Sequence, residues 1–149
     1  VIEAPDGTTC TLCTWLADSA GERQRGLAGV TELDGVDGMV FRYERDTVTP
    51  FWMRGTRLPL DIAFYDATGR HVGGASMLPC PDDVSDLECP RYGAGAPYRL
   101  AIEVPAGRAG ALGLVTASRA TLGGPCSGPT SSDGRSSAPA TSGGATLSP

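Results

Sequence analysis

The chain has 149 residues, of which 40% are hydrophobic and 19% charged, the make-up of one soluble globular domain. A net charge of -5 with a pI near 4.7 leaves no basic stripe, which excludes nucleic acid and anionic membrane surfaces as partners. All twelve cations are arginine, a bias that a GC-rich coding sequence accounts for and that carries no functional weight.

The predicted elements are mostly strands. Residues 8–17, TCTLCTWLA with its leading Thr, read as the first, rich in Thr, Leu and Trp. Ser19 followed three residues later by Glu22 is a capping box, which predicts one short helix near residues 19–26, ended by Gly26 and Gly29. Residues 38–43, 50–53, 60–66, 72–77, 98–104 and 114–122 read as six more strands. DATGR at 66–70 is a hairpin turn, so its flanking strands should pair antiparallel. A short helical turn is expected after Pro105. With one helical crossover only, a doubly wound fold is ruled out. The expected class is mainly β, a distorted antiparallel β-sandwich or partly open barrel.

No apolar run is long enough for a membrane span, and no charged-then-apolar leader precedes Val1. A start without Met fits a mature exported chain, secreted or held in the cell envelope. The cysteines agree. Cys80 and Cys89 bracket a polar loop of about ten residues, whose closure stabilises by roughly 2.7 kcal/mol in the chain-entropy model. Cys10 and Cys13 form a C-x-x-C, yet three residues along a strand span about 10 Å and face opposite sides, too far for a mutual disulfide. A zinc ribbon would need a second C-x-x-C, so no metal site is expected.

The last 27 residues, from Gly123, include 23 drawn from Gly, Ser, Thr, Pro and Ala. Such a segment cannot bury enough apolar surface to offset its ordering entropy. The division is therefore a single β domain over residues 1–126 and a disordered tail over 127–149. Cys126 is well placed to anchor the domain's end to the first strand, and a bridge to Cys13 would close a loop of about 114 residues, worth nearly 4.8 kcal/mol on the same model.

Chemistry concentrates in two segments. In LDIAFYD, Leu60, Ile62 and Phe64 alternate with Asp61, Ala63 and Tyr65; in YRLAIEV, Tyr98, Leu100, Ile102 and Val104 form the inward set against Arg99, Ala101 and Glu103. Were these strands neighbours, Asp61 and Glu103 would share a surface with Arg54 or Arg57 nearby, a polar cleft or an acid-base pair. The plainer reading makes both carboxylates members of ordinary structural ion pairs. Trp52 faces away from Phe51 and Met53, as a platform for a ligand ring or, more commonly, as core. His71, the single histidine, reads as a surface residue, and no nucleophile has an evident base.

The order of these motifs says more than any one of them. Arg25-Gly26-Leu27, Gly38-Met39 with Phe41, Trp52-Met53-Arg54 with Thr56, Pro59-Leu60-Asp61 and Glu103-Val104-Pro105-Ala106-Gly107 resemble the bacterial and archaeal family called domain of unknown function 192. The resemblance implies an exported, mainly β domain and no established reaction. It looks like the branch that bridges Cys13 with Cys126 and Cys80 with Cys89, which leaves Cys10 odd. Two positions depart from the family pattern: Ala28 stands where Met is usual, and Gly55 where Asn is usual, which removes a side-chain donor and acceptor. The expectation is a binding domain for a small molecule, glycan or peptide, with a cleft around Trp52, Arg54, Thr56, Asp61, Glu103 and Arg25. It is expected to act as a monomer without cofactor. The competing expectations are a hydrolase using Asp61 and Glu103, and a structural accessory domain.

Overall fold

In the computed structural model, which describes residues 1–126, the apolar runs pair into two sheets. The strands are β1 (Ile2–Glu3), β2 (Thr9–Cys10), β3 (Thr14–Ala17), β4 (Gly38–Thr47), β5 (Leu60–Tyr65), β6 (His71–Met77), β7 (Tyr98–Pro105) and β8 (Arg119–Ala120), with one helix, α1 (Ala20–Arg25). The larger sheet runs in the order β3-β4-β7-β5-β6, and the smaller in the order β2-β1-β8. The fold is mainly β, as expected, and the described residues close no barrel. One pairing departs from the antiparallel expectation: β3 lies parallel to β4, because α1 and the loop after it carry the chain back across before β4 begins.

Local chemistry accounts for the parts that the sequence foretold. Ser19 Oγ accepts from the Glu22 amide while the Glu22 carboxylate accepts from the Ser19 amide, which closes the capping box and starts α1. Asp66 Oδ1 accepts from the amides of Thr68 and Arg70, and Gly69 takes φ +77, so the β5-β6 hairpin turns where DATGR placed it.

Other expectations are corrected. The single strand over residues 8–17 is divided between the sheets, because the chain crosses from one layer to the other between Cys10 and Thr14. Of residues 50–53 only Phe51 pairs, in an isolated bridge to Tyr92. Of 114–122 only Arg119 and Ala120 are strand, and the stretch after Pro105 is a series of turns. The tail expected over 127–149 lies outside the described residues.

The larger sheet is buried on both faces. Leu60, Ile62 and Phe64 pack with Leu27, Phe41 and Ala101 on one side. Ala63 and Tyr65 pack with Ile2, Val40, Ile102 and Val104 on the other. All six residues of β5 are buried, so its alternation separates two cores, not a core from solvent.

Two disulfides staple this arrangement, Cys13–Cys126 with a Cα separation of 5.4 Å and Cys80–Cys89 at 5.6 Å. Cys10 is the free cysteine. Thiol titration of the denatured, unreduced chain should therefore find one thiol, rising to five after reduction. Three or five thiols before reduction would contradict the pairing.

Candidate functional site

The segment between β4 and β5 folds back on itself through a turn at Met53 to Thr56. The Thr56 amide donates to the Met53 carbonyl at 3.1 Å, and Gly55 holds φ +71, the left-handed position of such a turn. The neighbours of this turn are fixed mainly by backbone. The Gly29 amide donates to the Gly55 carbonyl at 2.9 Å, which ties the loop after α1 to the turn. Arg54 donates to the carbonyls of Pro81 at 2.9 Å and Val84 at 2.7 Å, and its Nε lies 2.9 Å from Asp86 Oδ1 without hydrogen-bond alignment. Arg54, expected as a ligand contact, thus spends most of its guanidinium on the loop closed by Cys80–Cys89. Trp52 is 39% exposed and carries the Arg91 guanidinium 4.1 Å above its ring, so it is a platform at the surface and not core.

Beneath this turn lies Glu103. It is paired across β7 with Ile62 of β5 and Met39 of β4, and therefore points into the layer those strands share. It is 4% exposed, and among the described residues its carboxyl has neither an ion-pair partner nor a hydrogen bond. Loss of solvent pushes its pKa up to about 8, so the group holds its proton at neutral pH. Tyr43 is a neighbour: burial raises its pKa, against a hydrogen bond with Tyr98 and the Arg23 charge, while Glu103 raises it further.

Glu103 opens into a cavity of about 230 Å³ walled by Phe41, Tyr43, Trp52, Thr56 and Arg25. Arg23 and Arg54 also reach this lining. Arg23 is committed: it donates to the carbonyls of Asp18 and Arg42 and stacks 4.9 Å from the Tyr43 centroid. Arg25 is exposed and has no such partner among the described residues. Glu103 is the one acidic residue of the lining. A larger cavity of about 410 Å³ lies on the other face of the sheet, lined largely by apolar groups such as Ile2, Leu12, Leu100 and Ile102, and Arg42 at its edge is paired with Asp18 at 2.6 Å. Polar groups converge on the smaller one.

Asp61 does not belong to this constellation. The strands β5 and β7 are neighbours, but their register sets Asp61 opposite Val104, and the two-residue period then turns Asp61 and Glu103 to opposite faces. Asp61 is 7% exposed and accepts from Ser76 Oγ at 2.7 Å and from the amides of Gly107 and Ala109 at 2.8 and 3.3 Å. It fixes the loop after β7. The inward set assigned to β7 is corrected too: Leu100, Ile102 and Val104 fill the second core, while Ala101 and Glu103 face the first.

The two positions that depart from the family pattern meet in space. A Cβ built on Gly55 would lie 3.8 Å from Ala28 Cβ, with nothing else nearby. Position 55 needs a left-handed backbone, which Asn tolerates and Gly adopts freely, so the exchange keeps the turn. Phe41, Tyr43 and Arg23 are site residues that the sequence reading missed. The alternation of GMVFRY, with Met39, Phe41 and Tyr43 on one face, was the available signal for the first two.

The architecture defines a two-sheet β domain with a parallel edge strand. The family model DUF192, described as an uncharacterized ACR, matches residues 1–122, and the chain belongs to that family. A crystal structure of a candidate transcription regulator from Sinorhizobium meliloti 1021 has the same fold, with a TM-score of 0.69, 24% identity, and coverage of 79% of this chain and 87% of that one. A protein of unknown function from Novosphingobium aromaticivorans DSM 12444 gives 0.65 at 28% identity, covering 79% of each chain. No curated protein matches the sequence.

Two predictions follow from the carboxylates. Glu103 titrates near its ordinary 4.5 when unfolded and near 8 when folded, so between those values only the folded state holds the proton. Its contribution to stability is complete below pH 4.5 and falls by about 1.4 kcal/mol per pH unit up to pH 8. Urea denaturation at pH 5, 6.5 and 8 should show this slope in the wild type minus Glu103→Gln difference, from which the opposite contribution of half-buried His71 cancels. A flat difference would remove the buried-acid assignment. For Asp61→Ala, which strands two loop amides, a loss of about 2–4 kcal/mol is expected in the same assay. An unchanged midpoint would mean the amides find other partners.

Proposed function

We propose that this domain is a binding module whose ligand is a small molecule, taken into the cavity above Glu103. The observation that carries the reading is a buried carboxyl without a partner among the described residues, at the floor of a cavity with an exposed tryptophan at its wall. The Glu103 oxygens open onto the cavity, where a ligand atom can reach them, and are not sealed within the core. A cavity of about 230 Å³ suits a compact ligand better than a glycan chain or a peptide.

Two disulfides and the absence, among the described residues, of any helix long and apolar enough to cross a membrane support an exported protein, secreted or in the cell envelope. We take residues 1–126 as its folded domain and 127–149 as a tail. The hydrolase reading lacks its pair, because Asp61 and Glu103 face opposite sides of the sheet. A transcription-regulator role like the one named for the Sinorhizobium structure, if it worked through nucleic acid, has little to rest on here: the chain is acidic, and its one described helix spans six residues.

The test is a fragment screen by two-dimensional amide NMR on the full chain. Hits should move the Trp52 indole and the amides of Leu27, Ala28 and Thr56 together, and Ala28→Trp, which fills the cavity, should abolish them while the remaining spectrum stays folded. Hits that avoid these signals, or that survive Ala28→Trp, would dismiss the reading.

A further inference from the structure

We infer that the cavity above Glu103 selects small anions, with a carboxylate or similar oxyanion accepting a hydrogen bond from the Glu103 carboxyl while Arg25 supplies the opposing charge. The inference rests on the binding reading above and adds the ligand's chemistry to it.

The charge inventory of the cavity carries it. In a chain of net charge -5, three guanidiniums, those of Arg23, Arg25 and Arg54, line a space of about 230 Å³ whose single acidic residue is Glu103. Arg23 is held by backbone carbonyls and acts as fixed charge at the wall, while Arg54, held likewise, has its charge offset by Asp86 at 2.9 Å. Arg25, exposed and without an ion pair among the described residues, is the cation available to close on a ligand. A cationic ligand would face the charges of Arg23 and Arg25, which Asp86 does not offset, and would need Glu103 ionised where it is 4% exposed. An anion meets the reverse: complementary charge at the wall and a neutral O–H donor at the floor. Phe41, Phe51 and Trp52 leave room for a flat apolar body beside that oxyanion.

Protonation then gates the site. With its pKa raised to about 8, Glu103 donates at neutral pH and becomes a second anion in alkaline solution, where it repels the ligand. The other charged or titratable groups facing it are Arg23 and Arg25 from α1, Tyr43 from β4 and Arg54 from the turn segment. Guanidiniums do not titrate in proteins, and burial holds the Tyr43 phenol above its ordinary 10, so Glu103 alone changes charge between pH 6.5 and 9.5.

Benzoate, benzamide and benzamidine share a ring and differ in charge, and none titrates in that interval. Amide NMR titration of the full chain at pH 6.5 should give benzoate at least tenfold tighter binding than either analogue, with shifts at Trp52 and Thr56. Benzoate affinity should fall at least tenfold by pH 9.5 in the wild type and stay level in Glu103→Gln, which keeps a donor but cannot ionise. Arg25→Gln should weaken benzoate at least tenfold at pH 6.5. Preference for benzamide or benzamidine at the same signals would overturn anion selectivity and leave a binding cavity. A pH response unchanged in Glu103→Gln would overturn the gate. If no probe of any charge moves those signals, the anion proposal falls, and fragment hits there decide whether the binding reading falls with it.

Discussion

The hydrogen bonding of β7 along both edges, to β4 and to β5, is the constraint on which the rest of the structure depends. A strand held on both sides cannot slide, and each of its side chains is committed to one face. Close approach makes the lock tighter: a Cβ at Gly38 would come within 1.9 Å of the Glu103 carbonyl oxygen, so only glycine lets β4 begin beside β7 at that point. Both faces of the sheet carry packed layers, and an acidic residue near the middle of β7 is therefore enclosed whichever way it points. The neutral carboxyl of Glu103 is a consequence of where β7 sits. Its pKa shift arises from burial.

The walls of the cavity are built differently from its floor. Besides Phe41 and Tyr43 of β4 and the arginines of α1, they come from irregular chain, whose conformation is specified by hydrogen bonds between loops: Gly29 to Gly55, Arg54 to the carbonyls at 81 and 84, and Phe51 with Tyr92. The Cys80–Cys89 bridge limits the freedom of the loop that Arg54 grips, so the disulfide acts on the site at second hand. Such a wall arrives formed before any ligand does, which lowers the ordering cost of binding. Trp52 remains half-open at the rim, with Arg91 stacked across it.

The two carboxylates illustrate how near a sequence reading comes and where it stops. Alternation placed Asp61 opposite in sense to Leu60, Ile62 and Phe64, which is correct. The same reasoning put Glu103 with Arg99 on a solvent face, and failed because strand periodicity distinguishes two faces without saying what covers either. Burial of both faces made the residues that looked like surface into a second core, Ala63 and Tyr65 among them. Arg54 was visible as a cation of the motif, but its partners lie 27 and 30 residues further along, in a loop whose approach no local pattern encodes.

By itself the sequence determined the elements that rest on short-range chemistry: the capping box at Ser19 and Glu22, the Asp66 turn, the mainly β class and the apolar strand cores. These depend on groups a few residues apart, whose energies are set before the chain collapses. It also carried the family, through an ordered set of motifs that ends at Glu103 to Gly107. Only the tertiary structure decided that the strand over residues 8–17 is shared by two sheets, that Asp61 and Glu103 lie on opposite faces, and that Glu103 has no partner among the described residues. Those outcomes follow from register and layer stacking between distant segments, and a one-residue difference in register, invisible in either strand alone, would have put the two carboxylates on one face.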